Sequence, residues 1–182
     1  MASGVNQRCV QANQANASLC STPQANYAYV QAPIFVLNSM LDNYQMNAIF
    51  EVGCKSLADC NSTPVGWMNQ YQANFRAAIT TIATFQKRGN GAPLYNCDQH
   101  CAEQESTGFN GITVPAGSAS GGKLTLMQQA LTAWWNVGAD APEPAEQHTY
   151  IERCTLAGPT PCNPTCLPSG YDDALLNQLL LD

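Results

Sequence analysis

The sequence predicts an α/β fold, and three stretches carry that prediction. Pro33-Ile34-Phe35-Val36-Leu37 is a continuous apolar run, residues 67–86 have helical periodicity, and Pro93-Leu94-Tyr95-Asn96 is a second short apolar run. A run without alternation suits a strand covered on both faces, as in a parallel sheet. Strand, helix and strand in that order make a parallel βαβ unit. At 182 residues the chain is read as one domain, and folding would bury roughly 70% of the unfolded surface.

In chain order, residues 1–31 are rich in Gln, Asn and Ala without clear period, and are expected to form a loop tied down by Cys9 and Cys20. The first strand occupies residues 32–38 and ends in Asn38-Ser39. Residues 52–66 carry Gly53, Cys54, Cys60, Pro64 and Gly66, a turn-rich excursion that a Cys54–Cys60 bridge could close. In the helix at 67–86, Trp67, Tyr71, Phe75, Ile79 and Ile82 recur at steps of three and four, which predicts one buried face. Gly89-Asn90-Gly91 stops it before the second strand. A Gly- and Ser-rich loop is expected at 108–122, then a helix at 123–137 with Leu124, Met127, Leu131 and Trp134 on one stripe, broken at 139–144. The remainder reads as a cysteine- and proline-rich tail with a short leucine helix at 174–181.

Composition narrows the function classes. Only 11% of residues are charged and the net charge is −6, with the seven basic residues scattered, so nucleic acid and anionic membranes would be repelled. No run of about 18 apolar residues is present, so no membrane span is expected. Nine cysteines without repeated C-x2-C pairs read as disulfides, and the count leaves one without a partner in the chain. Short-range closures are expected, Cys54 with Cys60 and Cys162 with either Cys166 or Cys154. Glycosylation acceptors at Asn16-Ala17-Ser18 and Asn61-Ser62-Thr63 also fit export. Because residues 1–31 hold no apolar export segment, the expectation is the C-terminal part of a longer secreted protein, a single partial domain.

In an open parallel sheet, ligands and reactive groups gather past the C-terminal ends of the strands. Asp42 lies four residues beyond Asn38, and His100 lies four beyond Asn96, so both should reach one edge. A carboxylate that accepts the imidazole N–H fixes the tautomer and lets the other nitrogen take a serine proton. The order acid then histidine is how an α/β-hydrolase triad ends. Taken singly, an Asp past a strand is commonly a turn or cap residue, and Cys97 and Cys101 beside His100 admit a zinc reading that an oxidising compartment disfavours. His148, in a polar proline-rich stretch, is expected to be solvated, and Trp134 and Trp135 to be core rather than a sugar platform. Tyr44 and Gln45 either line the pocket or shape its loop.

The stretch Pro33-Ile34-Phe35-Val36-Leu37-Asn38-Ser39-Met40-Leu41-Asp42-Asn43-Tyr44-Gln45 resembles the acid segment of plant-type pectin acetylesterases, relatives of Notum. Leu94-Tyr95-Asn96-Cys97-Asp98-Gln99-His100-Cys101 is similar to the family's Cys-x-x-His-Cys histidine segment. Ser18-Leu19-Cys20-Ser21-Thr22-Pro23-Gln24, Ala133-Trp134-Trp135 and Pro161-Cys162-Asn163-Pro164-Thr165-Cys166 match it in the same order. The resemblance implies the C-terminal half of an α/β-hydrolase-like fold, with few parallel strands, flanking helices and a disulfide-rich tail. It implies a secreted, cell-wall ester hydrolase with Asp42 as orienting acid and His100 as general base, acting on acetylated pectin without a cofactor. The family's nucleophile sits in a Gly-x-Ser-Ala-Gly-Gly turn before the acid strand, and residues 1–31 contain none. In Gly117-Ser118-Ala119-Ser120-Gly121-Gly122 neither serine has the leading glycine, and both follow the histidine. The serine is therefore expected upstream, the missing N-terminal half becomes a partner, and the isolated chain should be silent. The rival reading is a non-catalytic cysteine-rich module, or a degenerate esterase remnant, that binds carbohydrate or protein.

Overall fold

The computed structural model describes residues 5–55, 57–83, 85, 89–104, 106–116, 124–137, 148–158 and 160–166. Its centre is a parallel sheet of three strands in the order β1 (Asn38–Ser39), β2 (Ala92–Tyr95), β5 (Thr149–Ile151). The expected βαβ unit is present, since α3 (Ser62–Thr80) joins β1 to β2. β5 was not foreseen; it lies in a segment that reads as loop-rich.

The first strand is shorter than its apolar run, and Pro93 is the reason. Gly91 N–H donates to Ile34 O and Val36 N–H to Gly91 O, so residues 34–36 run beside residue 91, with a single bridge at Phe35. Two residues on, the nitrogen of Pro93 faces the same neighbour and has no proton to give, so the ladder lapses until Asn38 pairs with Leu94. The coverage of both faces is as expected. Phe35 and Leu37 pack with Tyr95, Ile112, Val114, Met127 and Tyr150 on one side. Ile34 and Val36 pack with Tyr27, Met40, Leu94 and Ile151 on the other. A third cluster, Leu41, Met46, Val52, Leu57, Val65, Met68 and Leu156, lies past the C-terminal end of β1.

Several local readings are corrected. Residues 5–30 are helical rather than a loop: α1 (Gln7–Ala12) is capped by the Asn6 side chain, a 3₁₀ stretch follows at Gln14–Ser21, and Thr22 caps α2 (Pro23–Tyr27). The Cys9–Cys20 tie across them is a disulfide. α3 starts five residues before the expected 67, because Asn61 caps it by accepting Thr63 N–H and Pro64 is tolerated in a first turn. It ends at Thr80, and its buried positions are Val65, Met68 and Gln72, while Trp67 is exposed. Of the expected stripe, Tyr71, Phe75, Ile79 and Ile82 are partly buried and pack against the core, and Trp67 is the member that faces outward.

Within the expected loop after residue 108, α4 (Ser106–Gly111) and β3 (Thr113–Pro115) form instead, and β3 pairs antiparallel with β4 (Leu124–Leu126). α5 runs from Met127 to Val137; Met127 and Ala130 are buried, whereas Leu124 precedes the helix and is exposed. Trp134 stacks on Phe35 at 5.0 Å and donates its Nε1–H to Gly89 O, but Trp135 is solvent-facing rather than core. His148 is buried, not solvated, because it opens β5 against Gly91. The break at 139–144, the serines at 118 and 120 and the leucine segment at 174–181 lie outside the described residues. None of the described helices is long and apolar enough to cross a membrane.

Candidate active site

Parallel strands end at the same edge, and beyond that edge β1 and β2 each lead into a turn. Asp42 stands three residues after Ser39, at the start of a helical turn that widens into π geometry over Gln45–Ile49. Its carboxylate serves two partners. Oδ1 accepts the backbone N–H of Gln45 at 2.9 Å, capping the turn, and Oδ2 lies 2.9 Å from His100 Nδ1. The cap reading of Asp42 and the orienting reading therefore describe two oxygens of one side chain. Asp42 is buried, while the His100 side chain is about half exposed, 47% against 5%. With Nδ1 engaged, Nε2 is the nitrogen left to exchange a proton at the surface.

The ring is flanked as well as held. Tyr44 lies against it with centroids 5.2 Å apart, and more than half of the tyrosine is exposed. Gln45 turns the other way and accepts the Tyr71 hydroxyl proton at 2.5 Å. Burial, with the Asp42 charge adding, pushes the Tyr71 phenol up to about 12, so it stays a donor. Gln45, Phe50, Trp67, Tyr71 and Phe75 line an open groove of about 680 Å³ between this turn and α3.

The histidine turn is fastened from several sides. Cys97, buried at the end of β2, bridges to Cys166 in the tail. Asp98 accepts Leu57 N–H at 3.1 Å through Oδ2; burial raises its carboxyl, and that hydrogen bond pulls it part of the way back. Asn96 N–H donates to Glu152 Oε2 at 2.7 Å, and Asn163 Nδ2 donates to Glu152 Oε1. Burial pushes the Glu152 carboxyl up to about 7 in spite of these two bonds. Ser39 donates to Cys97 O across the strand ends. Sequence reading missed Ser39, Asp98 and Glu152. The polar pair Asn38-Ser39 between Leu37 and Met40 was the one available signal for Ser39, whereas the Glu152 carboxylate takes its partners from residues 96 and 163.

The cysteine framework matches the short closures at Cys54–Cys60 and resolves the alternative for Cys162 in favour of Cys154. With Cys97 in a disulfide, the zinc reading of the histidine segment loses a ligand, and among the described residues no group of three metal-binding side chains is found.

Asp42 and His100 thus form an acid–imidazole pair at the sheet edge, an arrangement suited to proton transfer from a hydroxyl. Compared with known families, the chain matches the family described as Pectinacetylesterase over residues 1–167. No curated protein and no solved structure is found to match it.

Proposed function

The chain belongs to the pectinacetylesterase family, a family of carboxylic ester hydrolases, and from that premise we propose that it carries the acid and the base of a serine esterase that removes acetyl groups from cell-wall pectin. The observation that carries the proposal is the 2.9 Å contact between Asp42 Oδ2 and His100 Nδ1. Asp42 holds the imidazole proton on Nδ1, and Nε2 takes the proton of a serine hydroxyl as its oxygen attacks the acetyl carbonyl carbon. The tetrahedral intermediate collapses when His100 returns that proton to the sugar oxygen, and the sugar leaves as an alcohol. Water, activated by the same imidazole, then releases acetate from the acyl-serine.

The serine is supplied by a segment that is not part of residues 1–182, because the Gly-x-Ser-Ala-Gly-Gly turn of the family is not in this sequence. The four disulfides fit an extracellular site of action. The test is reconstitution. The chain alone should not turn over a small acetyl ester, and adding a separately produced segment with that turn should restore hydrolysis. Restored hydrolysis that survives His100→Ala would remove the base from the mechanism, and saccharide binding with no rescue would favour the non-catalytic module.

A further inference from the structure

We propose that Ser39 is a positioning residue: its buried hydroxyl ties the turn that carries Asp42 to the turn that carries His100, and thereby sets which imidazole nitrogen holds the proton. The inference rests on the acid–histidine reading above and extends it to a residue outside the pair.

Ser39 closes β1 with only 2% of its surface exposed. Its Oγ accepts the N–H of Leu41 at 3.0 Å and donates to Cys97 O at 2.5 Å, while a longer contact to Tyr95 O, 3.5 Å, competes for the same proton. Leu41 precedes Asp42, and Cys97 lies three residues before His100. The position matters because the backbone ladder stops there. Met40 N–H to Tyr95 O, 2.7 Å, is the last backbone bond between the two strands, and among the described residues no backbone bond joins 41–43 to 97–100. The hydroxyl supplies the next rung in place of a peptide group.

Beyond that rung the two turns meet through side chains alone. Asn43 Nδ2 reaches Asp98 O at 3.5 Å, a marginal length, and Asp42 meets His100 at 2.9 Å. A small separation of the turns lengthens the second contact beyond hydrogen bonding, and the proton is then no longer held on Nδ1. Removing the hydroxyl also takes from Leu41 N–H its acceptor in a buried place, and from Cys97 O one of two donors, the other being Gln99 N–H at 2.8 Å, which itself drives the turns apart.

The test is nitrogen-15 NMR of the full chain at a pH where imidazole is neutral, reading the tautomer of each histidine. The protein has two, and His148, buried at the start of β5 and so at the other end of the sheet, is the internal control. The wild type should show His100 with its proton on Nδ1, and Asp42→Ala should abolish that preference. Ser39→Ala should cause most of the same loss with His148 unchanged, and Ser39→Thr, which keeps the hydroxyl, should restore it. If Ser39→Ala does not fold, Ser39→Cys, with a weaker donor and acceptor, reads the same change. A His100 tautomer unmoved by the Ser39 variants but lost in Asp42→Ala would overturn the role of Ser39 alone. Equal changes at His148 would reduce it to general loosening and overturn it too. A wild-type tautomer indifferent to Asp42→Ala would bring down the acid–histidine reading and this inference together.

Discussion

The carboxylate of Glu152 accepts the backbone N–H of Asn96 at 2.7 Å, so the end of β2, four residues before His100, is held by a side chain that follows β5. That side chain is buried, and Asn163 occupies its second oxygen. The bond couples the placement of the histidine turn to the state of one acid.

Burial raises that acid from 4.5 to about 7. A carboxyl raised in the folded state binds its proton more tightly there than in the unfolded chain, so its contribution is fully present below about pH 4.5 and is lost as pH rises through 7. The chain should therefore be more stable at pH 5 than at pH 8, by up to about 3 kcal/mol from this group. Denaturant midpoints across that range measure the slope, and Glu152→Gln should flatten it.

Asp42 separates its two duties by substitution. Asn is as good a helix cap as Asp, so Asp42→Asn should keep stability near wild type, whereas Asp42→Ala should cost about 1 kcal/mol. Both should lower ester turnover in the reconstituted enzyme, by a factor on the order of 10⁴ for the Asn variant, because an amide cannot hold the imidazolium. Unfolding curves beside rates of acetyl ester hydrolysis check the pair; equal loss of stability in both variants would count against the shared carboxylate.

Two glycines should respond in opposite directions. A Cβ on Gly66, in α3, meets nothing within 4 Å, so Gly66→Ala should stabilise by roughly 0.5–1 kcal/mol through reduced freedom of the unfolded chain. At Gly108 a Cβ would lie 2.1 Å from Ala102 O, a backbone atom that cannot step aside. Gly108→Ala should destabilise by about 1–3 kcal/mol. Thermal midpoints of the two variants decide both.

Disulfides of different reach should differ in worth. Cys97–Cys166 closes a separation of 69 residues and Cys54–Cys60 one of 6. Loop-closure entropy gives about 4 kcal/mol for the first and about 2 kcal/mol for the second. Paired Cys→Ala variants, compared in denaturant, should keep that order, and the loss at 97 and 166 should also disturb the His100 resonances.

The parts legible in the sequence were those carried by neighbours in the chain. The βαβ unit followed from three apolar stretches, and the meeting of Asp42 with His100 followed from it, since parallel strands release their next residues at one edge. Helix limits were less legible because a cap overrode periodicity: Asn61 started α3 early, whereas the stripe of Tyr71, Phe75, Ile79 and Ile82 does meet the core and Trp67 is its exposed member. His148 looked solvated because its sequence neighbours are polar, yet Gly91 and Phe35, more than fifty residues away, lie in the same packed corner.

By itself the sequence determined the α/β class of fold, the Cys54–Cys60 closure and the pairing of an acid with a histidine, all consequences of spacing along the chain. Only the tertiary structure decided that one Asp42 oxygen caps a helix while the other meets the imidazole, that Cys97 reaches Cys166, and that Ser39 and Glu152 clasp the histidine turn. Apart from the Asp42 cap on Gln45, three residues on, those contacts join residues more than fifty positions apart in the chain. Burial makes the bonds of Ser39 and Glu152 obligatory, because each is a polar group that has left water and must find its partner inside the protein.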